Sequence, residues 1–126
     1  MISTVRAGEN RRTETPNATM TTLASPTLGA TAGLSMWYVE MTEGAQGPRH
    51  VFDSEQLWTV LEGELSVLVA GETAELAAGD TLVLPAGVER QISATTAVRL
   101  LVCGHGDAVA RVPDEDASRG TPPWIA

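Results

Sequence analysis

The chain contains no lysine: all eight of its basic residues are Arg, set against 16 acidic residues for a formal charge of −8. Without Lys, neither Schiff-base catalysis nor a phosphate-binding P-loop is available. The negative balance disfavours nucleic acid and anionic membrane as partners. A single cysteine, Cys103, excludes an intrachain disulfide and reads as a buried small hydrophobe. The N-terminal MISTVRAGENRR carries no apolar run that could act as a signal peptide or anchor, so a cytoplasmic location is expected and the Asn17–Thr19 glycosylation match is taken as chance. Aromatic residues make up only 4%, which leaves Ala, Val, Leu and Thr to build an interior.

What the sequence does have is alternation. Short runs of alternating or β-branched residues at 2–6, 18–24, 34–41, 49–52, 56–61, 64–70, 73–76, 81–84, 88–93 and 97–103 are separated by turn residues such as Gly63, Gly71, Pro85 and Gly87. No window has helical periodicity. Many short strands at this spacing predict an all-β sandwich or barrel in a single domain over 1–126. Within it, residues 1–33 form N-terminal strands or an arm and 34–105 the core. Residues 106–126 form a Pro-rich polar tail whose Trp124 and Ile125 are expected to dock back on the core.

Two stretches carry a more specific pattern. Gly44, His50, Phe52, Gln56 and Gly63 fall at the spacing Gly, five residues, His-x-His, three residues, Glu, six residues, Gly. Gly79, Pro85, Gly87, Arg90 and Ala94 fall at the spacing Gly, five residues, Pro-x-Gly, two residues, His, three residues, Asn. Every Gly and Pro is in register, over about two fifths of the chain. In this the sequence resembles the cupin superfamily, and the resemblance implies a cupin double-stranded β-helix, a jelly-roll barrel of antiparallel strands.

In the cupins that this chain resembles, two His and a Glu of the first motif and a His of the second hold Fe, Mn, Ni, Cu or Zn. Carried over position by position, only His50 is a strong ligand. Phe52 cannot bind metal, Gln56 is a weak neutral donor, and Arg90 brings a positive charge where a cation would sit. Restoring a ligand set would require His105 to turn inward or Glu55 to replace Gln56. The latter slips the strand by one residue and puts Leu57 and Thr59 inside in place of Trp58 and Val60.

The remaining candidates each have a structural and a functional reading. His50 is either a satisfied core histidine or a general acid/base near neutrality. Gln56 is either a strand-bridging amide or a substrate hydrogen-bonder. Arg90 either reaches water or points inward to an anion, which would be a ligand or one of Glu40, Glu43 and Glu55. Trp58 and Phe52 would make an aromatic pocket floor, and strand parity sets Met36 and Tyr38 opposite to Trp37.

The expected function is binding of a small, partly apolar, anionic molecule, with His50 catalytic and Gln56, Arg90, Trp58 and Phe52 binding the substrate. That set could run metal-independent isomerisation, dehydration or cyclisation. No cofactor is expected, although a divalent metal at His50 and Gln56 stays open. A metal-dependent oxygenase or isomerase and a non-catalytic sensor are the alternatives. A homodimer is expected, because the strand edges of a small sandwich need covering, for which the N-terminal segment is available.

Overall fold

The computed structural model describes residues 2–115 and 117–126. A 3₁₀ turn at Ala7–Glu9 precedes twelve strands: β1 (Arg11–Glu14), β2 (Thr19–Ala24), β3 (Leu34–Met41), β4 (Val51–Phe52), β5 (Gln56–Glu62), β6 (Glu64–Val69), β7 (Glu72–Ala77), β8 (Thr81–Leu84), β9 (Arg90–Ala94), β10 (Val98–His105), β11 (Ala110–Arg111) and β12 (Ser118–Gly120). The strand expected at 2–6 is absent and its place is taken by β1, while β11 and β12 lie in the tail, where alternation is too short to register. Among the described residues no helix is long and apolar enough to cross a membrane.

The strands form three separate antiparallel sheets: β1-β2-β3-β10-β5-β8, β12-β11-β4 and β7-β6-β9. None closes on itself, which corrects the expected jelly-roll barrel. The reason lies in residues 44–50, which run beside β9. Pro48 has no N–H to donate, and the ladder there is reduced to the isolated pairs Gln46 with Ser93 and His50 with Arg90. Sheet β7-β6-β9 therefore meets β4 through single bridges and not through a continuous strand.

The core lies between the inner faces of the sheets and follows the two-residue period. On β3, Trp37, Val39 and Met41 are buried while Met36 and Glu40 are exposed. On β10, Leu100 and Val102 point inward against Val60 of β5 and Leu65 and Val67 of β6. Each such side chain contributes about 1.5–3 kcal/mol on burial. Outside, register aligns Met36, Cys103, Leu57 and Val83 in one row across four strands. Cys103 thus sits half-buried on the outer face and not in the core, because it shares parity with Leu101 and Arg99.

The motif glycines mark the turns that hold this register. Gly63, between β5 and β6, has φ +87°, and a Cβ there would lie 2.1 Å from the Ala97 carbonyl oxygen. No other residue fits without moving backbone. At the other end of the chain, Ile125 is buried, the Thr22 hydroxyl donates to the Trp124 carbonyl (2.6 Å), and Arg11 Nη2 donates to Ala126 O (2.6 Å).

Candidate functional site

His50 and Arg90 are direct partners across the chain, each backbone N–H donating to the other's carbonyl at 3.0 Å. In such a pair the two side chains leave the same face. The turn before Arg90 is secured by Gly87 N–H on the Phe52 carbonyl (2.9 Å), so both motifs are tied at their ends. Gln56 opens β5 opposite Gly104 of β10, where a Cβ would stand 3.1 Å from Gln56 Cγ. The missing side chain at 104 makes room for the Gln56 amide.

Around this frame the five expected site residues converge. The Gln56 carbonyl oxygen accepts from Arg90 Nη1 (2.8 Å) and from Trp58 Nε1 (3.1 Å). The Arg90 guanidinium lies over the Phe52 ring (5.1 Å to the centroid), and the His50 ring meets the same Phe edge-on at 5.2 Å. The fifth, His50, turns Nδ1 to the Pro48 carbonyl (2.9 Å), which fixes the tautomer with the proton on Nδ1 and leaves Nε2 as a free base.

Arg90 is 0% exposed, yet only one of its three nitrogens has a partner. Nε and Nη2, which share one edge of the guanidinium plane, meet no acceptor among the described residues, nor does the Gln56 amide nitrogen. Glu40, Glu43 and Glu55 are all exposed, and none pairs with Arg90. Burial pushes the Arg90 pKa down to about 10, so the group stays cationic at neutral pH. The His50 pKa is also lowered, first by burial, then against the raising effect of the Pro48 hydrogen bond, and by the Arg90 charge.

These residues stand at one side of a cavity of about 450 Å³. His50, Phe52, Gln56 and Trp58 border it directly, whereas Arg90 lies behind Gln56 and Phe52. The tail supplies a wall that was not foreseen: Val112, Pro122 and Trp124 line it, with Arg111 and Arg119, while Trp37 of β3 and Met20 of β2 complete the lining. The Trp-Ile pair near the C-terminus was the available signal for this wall, since a docking apolar tail covers something.

The donor set does not fit a metal. Among the described residues no three His, Cys, Asp or Glu side chains cluster. His105 is exposed on the outer face at the end of β10, and Glu55 is exposed. Two donors already occupy the Gln56 oxygen, and the third motif position holds a guanidinium. A cation beside Arg90 would have His50 Nε2 as its one strong ligand.

With this geometry in place, residues 37–104 match the family model of the cupin domain. The chain belongs to the cupin family. No curated protein matches it by sequence. In structure it is similar to an RmlC-like cupin from Shewanella frigidimarina, with 21% identity over 81% of this chain and 88% of that one and a TM-score of 0.70. It is similar to KdgF from a Halomonas species, with 21% identity over 92% and 97% and a TM-score of 0.71. A salicylate 1,2-dioxygenase from Pseudoaminobacter salicylatoxidans, solved with gentisate, aligns at 20% identity and TM-score 0.72 over 83% of this chain; the match spans 31% of the dioxygenase. At these identities the likeness is one of fold.

Proposed function

We propose that this cupin binds a small, partly apolar, anionic molecule in the 450 Å³ cavity and that Arg90 supplies the attraction. The observation that carries the proposal is a fully buried guanidinium with no carboxylate partner among the described residues, whose unpaired Nε and Nη2 form the fork that grips a carboxylate side-on. A charge left this way is costly to the empty protein and is repaid by an anion. The ligand's carboxylate reaches past Gln56 to the fork; Gln56 keeps its oxygen on Arg90 Nη1 and Trp58 Nε1 and offers its unpaired amide nitrogen alongside. Phe52 and Trp58 supply the apolar surface.

In this proposal His50 moves protons. Its neutral Nε2 takes a proton from a carbon next to the bound carboxylate, and Arg90 stabilises the charge that develops there. For an isomerisation the same imidazole returns the proton to a second carbon, so the step balances without a co-reactant. A non-catalytic binder is the second reading. It is favoured by one fact: among the described residues, the titratable groups bordering the cavity besides His50 are Arg111 and Arg119, which are poor acids and bases.

Calorimetric screening of small carboxylates tests both. Arg90→Lys is expected to lose most of the binding although the charge is kept, because an ammonium has no planar fork. His50→Ala is expected to keep binding and lose turnover. Binding unchanged in Arg90→Lys and Arg90→Ala would overturn the anion pocket; normal turnover in His50→Ala would refute the role given to His50, and a parent protein that binds carboxylates and turns none of them over would leave the binder alone standing.

A further inference from the structure

The chain has three Trp, one Phe and one Tyr, and all but the Tyr border the same cavity. Trp37 comes from β3, Phe52 from β4, Trp58 from β5 and Trp124 from the C-terminal tail. Apart from the neighbouring β4 and β5, these segments are far apart in sequence, so no single local composition bias gathers all four rings. Elsewhere the interior is built without rings, from residues such as Leu65, Val67, Leu84, Leu100 and Val102, all buried. Tyr38, the exception, faces outward beneath the Arg99 guanidinium (4.1 Å). Core formation alone does not require this distribution, since aliphatic side chains fill the rest of the same core.

Two of the rings are held in place by polar contacts. The Trp58 indole is pinned by its N–H on the Gln56 oxygen, and the Phe52 ring is fixed by Arg90 over its face and the edge-on His50 ring. Pre-set ring planes lower the ordering cost of binding. They also reward a partner with its own quadrupole: each well-placed ring contact multiplies affinity by about two- to tenfold beyond apolar burial. A cavity of about 150 Å³ admits benzene. At about 450 Å³ this one takes a ring system of one or two rings with substituents.

We propose that the ligand is an aromatic carboxylate of one or two rings, its ring among Trp37, Phe52, Trp58 and Trp124 and its carboxylate toward His50 and Arg90. The acidic end rests on the function proposed above; the aromatic end rests on the ring distribution alone.

The test is calorimetry at pH 7.5 with benzoate, 2-naphthoate, cyclohexanecarboxylate and benzamide, followed in parallel by tryptophan emission, because every Trp of the chain borders the cavity. Benzoate is expected to bind about fivefold or more tighter than cyclohexanecarboxylate, 2-naphthoate tighter still, and benzamide at least tenfold more weakly than benzoate. Cyclohexanecarboxylate binding as well as benzoate overturns the aromatic assignment and leaves the anion pocket intact. Benzamide matching benzoate overturns the anion pocket and leaves the aromatic assignment intact; no binding by any probe overturns both. Trp124 is half-exposed, so Trp124→Leu leaves the buried core in place and is expected to cut the benzoate preference at least twofold with little change in Tm. An unchanged preference in both Trp124→Leu and Trp58→Phe also overturns the assignment.

Discussion

Replacing Arg90 by Met is expected to make the ligand-free protein more stable and the ligand-binding protein inactive. The Arg90 pKa falls from 12.5 to about 10 through burial, and at about 1.4 kcal/mol per unit the charged form carries a penalty of about 3.5 kcal/mol in the folded state. Two contacts offset it. The bond to the Gln56 oxygen contributes about 1.5 kcal/mol and the contact with the Phe52 face about 1 kcal/mol. The balance is about 1 kcal/mol against Arg. Met fills a similar volume without charge, and the Gln56 oxygen still accepts from Trp58 Nε1, so the change leaves no orphaned acceptor. For a domain of this length the gain corresponds to about 3–5 °C in Tm. Binding should move the other way: two charge-assisted hydrogen bonds from the free fork amount to about 3–6 kcal/mol, a loss of at least about a hundredfold in affinity. Differential scanning calorimetry without ligand and titration with benzoate give the two arms. A variant that melts several degrees lower than the parent, with unchanged affinity, would show that the guanidinium is satisfied in the folded protein and refute the reasoning.

Four further outcomes are expected. Because the folded pKa of His50 lies below the unfolded value of 6.5, the unfolded chain binds more protons as pH drops; the His50 contribution to stability is complete above 6.5 and is lost as pH falls through the folded pKa. Urea melts from pH 8 to 5 should show this slope, and a His50→Gln variant with the same slope would contradict it. Purified protein should hold well under one metal ion per chain, with no fall in Tm on chelation; a stoichiometric ion that survives chelator would contradict the donor-set argument. Gly63→Ala should cost about 3 kcal/mol, from left-handed strain and contact with the Ala97 carbonyl, and a melt equal to the parent's would contradict that turn. Light scattering should report a homodimer, weakened or abolished by deletion of residues 1–16, the segment that contains edge strand β1; an unchanged assembly, or a monomer in both, would contradict this.

Much of the candidate site's arrangement was legible because metal-site spacing survives in the sequence even where the ligands do not. The interval between His50, Gln56 and Arg90 let strand parity and turn positions place them, and it also shows why Trp58 shares a face with Gln56. What spacing could not convey was pairing at a distance. Arg90 turns inward without any of the three carboxylates offered as protein partners, because Glu40, Glu43 and Glu55 sit at the exposed phase of their segments. Closure of the sheets was overestimated for a similar reason: the motif marks turns, but whether 44–50 pairs continuously with β9 depends on Pro48 and on tertiary register. The wall formed by Val112, Pro122 and Trp124 arises from two-residue strands and a docked tail, where periodicity carries almost no signal. Cys103 was misplaced by its general preference for interiors, although the alternation of β10 assigns it to the outer face.

The most direct measurement is titration calorimetry of benzoate against the parent protein and Arg90→Lys at pH 7.5, with Tm recorded for both. Parent binding that falls at least tenfold in Arg90→Lys, at comparable stability, is expected if a planar guanidinium fork receives the ligand's carboxylate. Equal affinity in the two proteins would mean that the anion is held elsewhere or by charge alone, and the pocket built on Arg90 would be wrong.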